Sequence, residues 1–461
     1  MLTSNDQQLL SEKGISEEQL KEQLECFVKG FPFLDVKASA SVQKGIQSIS
    51  GDEKDHYISV WEDYLNQDKT ILKFVPASGA ASRMFKDLFG FLSASYDVPS
   101  TGFEKKFFDE IEHFAFFEAL SNKCRVNEGK DIPELLAENR YKSVVSNLLE
   151  ESGLRYGLLP KGLLLFHSYP EGPRTAVEEH LVEGVLYTKN KTNEVNIHLT
   201  VSPEHQVLFE ALVNEKKGMY EQKFGVTYHI SFSNQQASTD TVAADKDNKP
   251  FRNADGSLLF RPGGHGALIG NLNRMDADIA FIKNVDNVVP DHFKESDVVC
   301  KKALGGVLVS LQQRIFNYLE LIDSGEYTHE QVEEMIYFLQ DELCIKNPET
   351  SLLEDAELIL YIKRKLMRPI RVCGMVRNVG EPGGGPFFAV NPDGTISLQI
   401  LESSQIDMAN PEKKALFEKG THFNPVDLVC GLKDRFGNKY NLPDFVDKNT
   451  GLPKCIASIA G

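Results

Sequence analysis

Residues 71–86, ILKFVPASGAASRMFK, are the stretch on which the interpretation of the whole chain depends. An apolar run ends at Pro76, a loop of small residues follows, and Arg83 opens a segment with the apolar spacing of a helix. This pattern predicts a strand, a tight loop and a helix start. Free backbone N–H groups and the positive end of a helix dipole meet at such a junction, which suits a phosphate. A buried turn that uses small residues only for packing is the competing interpretation of this stretch alone.

The composition narrows the class of protein. The chain has 461 residues, of which 41% are hydrophobic, so it can bury a large core. Its 67 acidic and 50 basic residues give a net charge of −17, which disfavours nonspecific binding to nucleic acid or to an anionic membrane. The sequence shows neither a secretory pattern nor an apolar run of transmembrane length. We therefore expect a cytoplasmic protein that binds neither nucleic acid nor a membrane, and the oligomeric state is not predicted.

Apolar periodicity predicts an α/β fold. Strand-like segments at 71–75, 196–202 and 227–232 alternate with helical ones, which indicates parallel strands joined by crossovers. We expect a mixed, mostly parallel sheet flanked by helices. The expected organisation is an N-terminal helical appendage (1–66), a main domain (67–435) and a C-terminal tail (436–461), and the main domain includes a helical insertion (87–158), a helical segment (305–366) and a segment with two further strands (371–435).

Two charged residues stand where strand patterns begin or end. Lys161, in Pro160-Lys161-Gly162, precedes an apolar run, and a lysine at the lip of a sheet can bind a phosphate as a compact charge. An exposed surface lysine is the simpler alternative. Asp286 follows an apolar strand in ADIAFIKNVDN, and open α/β sheets hold ligands and metals at the carboxyl ends of their strands. Asp286 is therefore the predicted Mg²⁺ ligand.

Three other segments combine polar residues with glycine. Gln235 and Gln236 follow the strand that ends near Phe232. The glycines around His265 would let the backbone approach a flat base, although an ordinary glycine-rich turn explains them too. Arg377 lies in a glycine-rich loop, 374–385, that is either a lid over a ligand or the tip of a hairpin.

Taken in order, these motifs resemble the UDP-sugar pyrophosphorylases, in particular the UDP-glucose and UDP-N-acetylhexosamine branches. That family carries a G-G-x-G-T-R loop, then P-K-G, F-x-x-Q, P-G-[HN]-G and N-x-D-N. Residues 401–406, LESSQI, are similar to its L-E-x-x-Q-V, and residues 423–433, FNPVDLVCGLK, to its F-N-T-N-N-L-W-x-N-L-K. The resemblance spans roughly residues 70–435 and implies a GT-A or Rossmann-like catalytic domain, with 371–435 on the acceptor side. The whole pattern looks closer to a bacterial family of unknown function that shares this core than to any characterised branch.

The resemblance also implies roles for individual residues. Arg83 would lie near the departing pyrophosphate, Lys161 would steady the phosphates, Asp286 would hold Mg²⁺, and Lys433 would lie near the sugar phosphate. The implied nucleotide-binding residues are Ala77, Ser78, Gly79, Ala80, Ser82, Gln235, Gln236, Gly264 and His265. The implied acceptor-binding residues are Asn284, Arg377, Glu402, Asn424 and Asp427. The implied reaction joins a nucleoside triphosphate, with UTP the expected one, to a sugar-1-phosphate or a similar phosphorylated metabolite.

The sequence departs from the family pattern at several of these positions. Ser78 and Ala81 replace glycines of the phosphate loop, and a helical block separates Lys161 from that loop, so Lys86 is an alternative phosphate ligand. Val426 and Asp427 replace paired asparagines, so the identity of the acceptor does not transfer. Two alternatives stay open: a transferase that uses another nucleotide, such as CTP, with a non-sugar acceptor, and a catalytically weak sensor that binds a sugar nucleotide.

Overall fold

The computed structural model describes residues 2–245, 247–380 and 383–451. Their α-helices are α1 (Ser4–Lys13), α2 (Glu17–Lys29), α3 (Gly51–Leu65), α4 (Lys86–Ser93), α5 (Gly102–Asp109), α6 (Phe117–Glu128), α7 (Ile132–Ala137), α8 (Tyr141–Leu149), α9 (Ala176–Tyr187), α10 (Gln206–Phe224), α11 (Ile269–Arg274), α12 (Asp291–Ser324), α13 (His329–Tyr337), α14 (Asp355–Leu366) and α15 (Pro411–Glu418). None of these helices is both long enough and apolar enough to cross a membrane.

The strands of the same residues are β1 (Val36–Ser39), β2 (Ile71–Pro76), β3 (Leu165–His167), β4 (Arg174–Thr175), β5 (Glu194–Val201), β6 (Thr227–Asn234), β7 (Thr241–Val242), β8 (Phe260–Arg261), β9 (Ile279–Lys283), β10 (Ile370–Cys373), β11 (Val376–Arg377), β12 (Gly385–Val390), β13 (Ile396–Leu401), β14 (His422–Phe423) and β15 (Asp427–Gly431). The largest sheet has six strands in the order β10-β15-β9-β2-β5-β6, and the other sheets have two or three. The predicted α/β class, with a mixed and mostly parallel sheet, is confirmed.

The chain divides into two compact units. Unit A comprises Ile71–Asn234 and Lys283–Lys301, and unit B comprises Met1–Thr70, Gln235–Ile282 and Lys302–Gly461.

In unit A, three parallel strands bring the ends of distant segments to one edge. β2 pairs with β5 so that Pro76 lies opposite Thr200, and β5 pairs with β6 so that Thr200 lies opposite Ser233. One face of these strands packs against α9 and α10 through a core that includes Val75, Leu199 and Phe209. The loops after the three strands therefore leave the sheet at the same edge.

A second core of unit A lies among the helices between β2 and β3. The stretch 87–158, predicted as a helical insertion, contains most of α4 and all of α5 to α8. Phe107 and Phe108 of α5 are buried there together with Leu120 of α6 and Leu148 of α8. These helices therefore share one hydrophobic core.

Unit B holds several smaller cores. Residues 1–66, predicted as an appendage, contribute α1 and α2, which pack against β7 and Leu258, and also β1, which pairs with β12. Helices α12, α13 and α14 share another core that includes Met335 and Phe338. Glu381 and Pro382 of the predicted loop 374–385, and residues 452–461 of the predicted tail, lie outside the described residues.

Candidate functional site

The loop that follows β2 starts at the carboxyl edge of the parallel strands. The backbone N–H of Ala77 donates to the carbonyl of Thr200 at 2.8 Å, which ties the start of the loop to β5. Ala77 and Ala81 are fully buried, whereas residues 78–80 and 82–84 are exposed. The two alanines therefore anchor a loop whose other residues face solvent.

The helix after this loop begins later than the sequence predicts. Met84 donates its N–H to the carbonyl of Ala81 at 2.8 Å, which is the spacing of a turn, and α4 begins at Lys86 instead of Arg83. The buried side chain of Phe85 packs into the helical core next to the turn. This anchoring delays the helix and leaves Arg83 on an exposed turn.

Most backbone N–H groups of the loop are free. Among the hydrogen bonds of the described residues, none is donated by the backbone N–H groups of Ser78, Gly79, Ala80, Ser82 and Arg83. Successive free N–H groups on an exposed turn form a concave site for an anion. The loop can therefore bind phosphate oxygens through its backbone.

The Pro160-Lys161-Gly162 segment lies directly beside this loop despite the helices between them in sequence. Lys161 donates its backbone N–H to the carbonyl of Gly79 at 3.0 Å, and Ala81 donates to the carbonyl of Leu159 at 3.2 Å. A Cβ atom at Gly162 would lie 2.7 Å from the Phe209 ring, so only glycine permits this close packing. The lysine that the sequence separates from the loop is adjacent to it in the fold.

The side chain of Lys161 forms an ion pair with Asp286. Its Nζ atom lies 2.5 Å from Oδ2 of Asp286, and the two side chains are 24% and 34% exposed. Val285 donates its N–H to the carbonyl of Pro76 at 3.2 Å, which joins the segment after β9 to the end of β2. Three predicted elements of the site, the loop, Lys161 and Asp286, are thus together in unit A.

Asn284 belongs to the same segment. Its Oδ1 atom is buried and has no hydrogen-bond partner in the part of the chain that the structure describes. A buried amide oxygen without a partner costs stability, so a ligand or water that donates to it would be favourable.

A buried group of charged residues lies next to these segments, and sequence reasoning missed it. Glu183 on α9 accepts hydrogen bonds from Lys73 of β2 at 2.7 Å and from Lys283 of β9 at 3.0 Å, and Lys283 also donates to Asp297 at 2.9 Å. Lys73 and Glu183 are 0% exposed. The available signal was a lysine inside each of two apolar strands, because a buried charge requires a partner.

The pKa values of this group reflect its burial. Burial lowers the pKa of Lys73 to about 7, and the neighbouring Glu183 carboxylate offsets only part of that effect. Burial alone would raise the pKa of Glu183, but the charges of Lys73 and Lys283 outweigh it and hold that pKa well below its usual range. Glu183 is therefore ionised between two lysines that hold β2 and β9.

The predicted base-binding residues lie in unit B. With the amide of Gln235 oriented so that both of its polar atoms are paired, its oxygen accepts from the N–H of Gly263 at 2.7 Å and from the hydroxyl of Thr239 at 3.1 Å. Gln235 therefore holds the glycine-rich turn. Gly264 is exposed next to that turn, and the side chain of His265 is outside what the structure describes.

Gln236 approaches the helix that follows the turn. A Cβ atom placed on Gly270 of α11 would lie 3.3 Å from its Nε2 atom. Both glutamines thus pack against the segment 263–270, and the expected contact with a base stays a prediction.

Two of the predicted acceptor-binding residues, Asn424 and Asp427, are hydrogen bonded to each other within one turn. Asn424 donates from Nδ2 to the carbonyl of Gly374 at 2.7 Å and to that of Asp427 at 3.0 Å, and its Oδ1 accepts from the N–H of Val426 at 3.0 Å. Val426 has a φ of +57°, a costly conformation for a β-branched residue. Asn424 therefore stabilises a strained turn that ends at Asp427.

The other predicted acceptor-side residues occupy separate places in unit B. Arg377 is exposed on β11, opposite His422 of β14. Glu402 is exposed and caps the short turn that follows β13. Lys433 forms an ion pair with Asp276 at 2.8 Å. Asp276 precedes β9 in the sequence, whereas Asp286 follows that strand. Their roles toward an acceptor stay predictions.

The described residues contain no group of three or more His, Cys, Asp or Glu side chains placed to hold a metal ion. In comparisons with known proteins, the family described as "Domain of unknown function (DUF4301)" matches residues 3–455. A comparison with curated proteins gave no match.

Proposed function

The chain belongs to the DUF4301 family, and we propose that it is a nucleotidyltransferase that joins a nucleoside triphosphate, with UTP the expected donor, to a sugar-1-phosphate or a similar phosphorylated metabolite. The observation that carries this proposal is the group of free loop amides beside the Lys161–Asp286 pair. The order of the sequence motifs, which resembles the UDP-sugar pyrophosphorylases with their GT-A-like fold, supports the choice of reaction.

The proposed reaction is a displacement at phosphorus. An anionic oxygen of the acceptor phosphate forms a bond to the α-phosphorus of the nucleotide, and the bond from that phosphorus to the bridging oxygen breaks. Pyrophosphate leaves with the electron pair. Because the attacking oxygen is already ionised, the protein needs no general base, and catalysis depends on positioning and on charge stabilisation.

The residues of unit A suit these tasks. The free N–H groups of residues 78–80, 82 and 83 would bind the β- and γ-phosphate oxygens, and the exposed guanidinium of Arg83 would stabilise the charge of the departing pyrophosphate. Lys161 is adjacent to the loop, and its side chain would rotate so that the ammonium group leaves Asp286 and binds the phosphates. The lysine is a compact cation on a flexible stem, so this movement requires only side-chain rotation.

The residues present fit a Mg²⁺ ion. This ion typically binds one or two carboxylates, and phosphate oxygens and water complete its six ligands. Asp286 supplies one partly exposed carboxylate beside the loop, and its Oδ2 becomes available once Lys161 moves away. Bound there, Mg²⁺ would neutralise charge on the phosphate oxygens.

A screen of nucleoside triphosphates against sugar-1-phosphates, with release of pyrophosphate as the readout, tests the proposal. We expect Mg²⁺-dependent turnover with at least one pair, and UTP as the best donor. A best rate with CTP and a non-sugar acceptor would keep the reaction type and change the substrates. No turnover with any pair would contradict the proposal.

A second candidate function is a sensor that binds a sugar nucleotide without turnover. The closed Lys161–Asp286 pair favours it, because this pair occupies the carboxylate that the metal needs. The presence of Ser78 and Ala81 where related loops have glycine points the same way. Thermal stabilisation by a UDP-sugar, combined with no turnover in the screen, would support the sensor.

A further inference from the structure

Helix α9 carries a buried histidine whose hydrogen bonding is incomplete. His180 is 0% exposed, its Nε2 donates to the carbonyl of Val285 at 3.1 Å, and its Nδ1 is buried with no partner among the described residues. An apolar side chain of similar size would avoid the cost of the unpaired nitrogen. The bond to Val285 is therefore the contribution that a simple packing residue would not make.

Val285 is held at both of its backbone polar groups. Its N–H donates to the carbonyl of Pro76 at 3.2 Å, and its carbonyl accepts from His180. Pro76 is the last residue of β2, directly before the loop, and Asp286 directly follows Val285. These two bonds set where the Asp286 carboxylate lies relative to the loop.

The same helix holds the strands that deliver both segments. Glu183 lies three residues after His180, so the two side chains project from one face of α9. Glu183 bonds to Lys73 of β2 and to Lys283, the last residue of β9. One helical face therefore fixes β2, the end of β9 and the segment that carries Asp286.

We infer that His180 is a positioning residue for the proposed reaction, which orients Asp286 through the carbonyl of Val285. The inference rests on the proposed function only for the role of Asp286. The structural part, that His180 holds the segment 284–287, is independent of any ligand. His180 would act through the backbone carbonyl of Val285.

The test compares His180→Phe, which keeps the ring and removes the donor, with His180→Gln, whose terminal amide can donate from a similar position. Tyr228→Phe is the matched control, because the Tyr228 hydroxyl donates to the carbonyl of Leu181 on α9 at 2.9 Å and is equally buried. Amide hydrogen exchange is measured by mass spectrometry on the full chain without ligand. Binding of UTP is measured in parallel with Mn²⁺ and with a chelator.

We expect His180→Phe to speed exchange of the amides in 284–287 about tenfold, because one bond of the segment is lost. His180→Gln should restore the slow exchange, and Tyr228→Phe should leave it unchanged. His180→Phe should also weaken UTP binding about tenfold with Mn²⁺ and leave metal-free UTP binding unchanged, since it moves the metal-binding carboxylate. If His180→Phe instead weakened UTP binding only in the absence of metal, the link to Asp286 would be contradicted.

Unchanged exchange in 284–287 for His180→Phe would overturn the inference. If that variant does not fold, His180→Asn replaces it, because its shorter amide cannot reach Val285, and the same result is expected. A wild-type protein that binds UTP under neither condition contradicts the proposed function, while the exchange experiment still decides whether His180 positions the segment.

Discussion

Among the lysine–carboxylate contacts of unit A, Lys73–Glu183 and Lys161–Asp286 have opposite surroundings. Lys73 and Glu183 are 0% exposed and hydrogen bond within a larger buried group, whereas Lys161 and Asp286 are 24% and 34% exposed. Charges that fold away from water must stay paired, because each would otherwise carry a large desolvation cost. A partly exposed pair loses little when its partners separate, because water and ions replace the contact.

This difference assigns different tasks to the two contacts. The buried contact holds β2 and β9 at a fixed distance from α9, and it cannot open without a large cost. The exposed contact lies beside free loop amides, and in the proposed reaction its two partners would separate to bind phosphate and a metal ion. The first contact is therefore expected to govern stability and the second to govern function.

The largest expected effect is on stability when the buried contact is broken. Glu183→Gln leaves Lys73 and Lys283 without their shared carboxylate, and we expect a loss of about 3–5 kcal/mol in the free energy of unfolding. Denaturant unfolding followed by circular dichroism measures it. The exposed pair Lys29–Glu25 supplies the control, since water screens this pair and Glu25→Gln should leave that free energy nearly unchanged. A loss below about 1 kcal/mol for Glu183→Gln would show that the two contacts do not differ.

The next effect is on activity when the exposed contact is broken. We expect Asp286→Asn to lower the rate of pyrophosphate release about 10²- to 10³-fold, since the metal loses its carboxylate, while stability changes by less than about 1 kcal/mol. Glu138→Gln, which removes a carboxylate paired with Lys130 in the helical part of unit A, should leave the rate unchanged. Full activity in Asp286→Asn would refute the metal assignment.

A smaller expected effect concerns how the free energy of unfolding changes with pH. Burial lowers the folded-state pKa of Lys73 to about 7, far below its unfolded value. Below pH 7 the lysine is charged in both states and its burial penalty is complete. Above pH 7 the folded state releases the proton before the unfolded state does, so stability rises with pH. We expect the rise between pH 7 and pH 9 to be shallower in Lys73→Met, by up to about 1.4 kcal/mol per pH unit.

The comparison uses the same denaturant unfolding at each pH. Lys161→Met is measured in parallel, so that the buried and the exposed contact are compared under the same conditions. Identical slopes for wild type and Lys73→Met would mean that Lys73 stays charged throughout this range.

The sequence singled out both residues of the exposed contact and none of the buried one. Apolar runs and a proline located β2 and its loop, and the apolar run before Asp286 predicted that this residue follows a strand. Lys73 and Lys283 each stand alone in an apolar strand, and only the fold shows that Glu183 joins them. The approach of Lys161 to Gly79 depends on backbone bonds across a helical block, which side-chain periodicity cannot indicate.

The helix start and the partner of His180 were missed for related reasons. The predicted start at Arg83 used apolar spacing alone, and the burial of Phe85 holds a turn there instead. His180 lies in a helix that is buried on nearly all sides, so it has no polar face that would mark the histidine as special. Tertiary contacts decided both features.

The smallest expected change in stability tests whether the loop binds phosphates or only packs. A Cβ atom at Gly79 would meet no atom within 4 Å, so Gly79→Ala should keep the fold. It should raise the free energy of unfolding by up to about 1 kcal/mol, because alanine restricts the unfolded chain. The same methyl group would stand among the free N–H groups, so we expect UTP binding, measured by calorimetry, to weaken about tenfold. Gly162→Ala is the opposite case, because its Cβ would lie 2.7 Å from the Phe209 ring and should destabilise the protein by about 1–3 kcal/mol. Unchanged UTP binding in Gly79→Ala would favour the packing turn, since a loop that serves only the core is indifferent to a methyl group in open space.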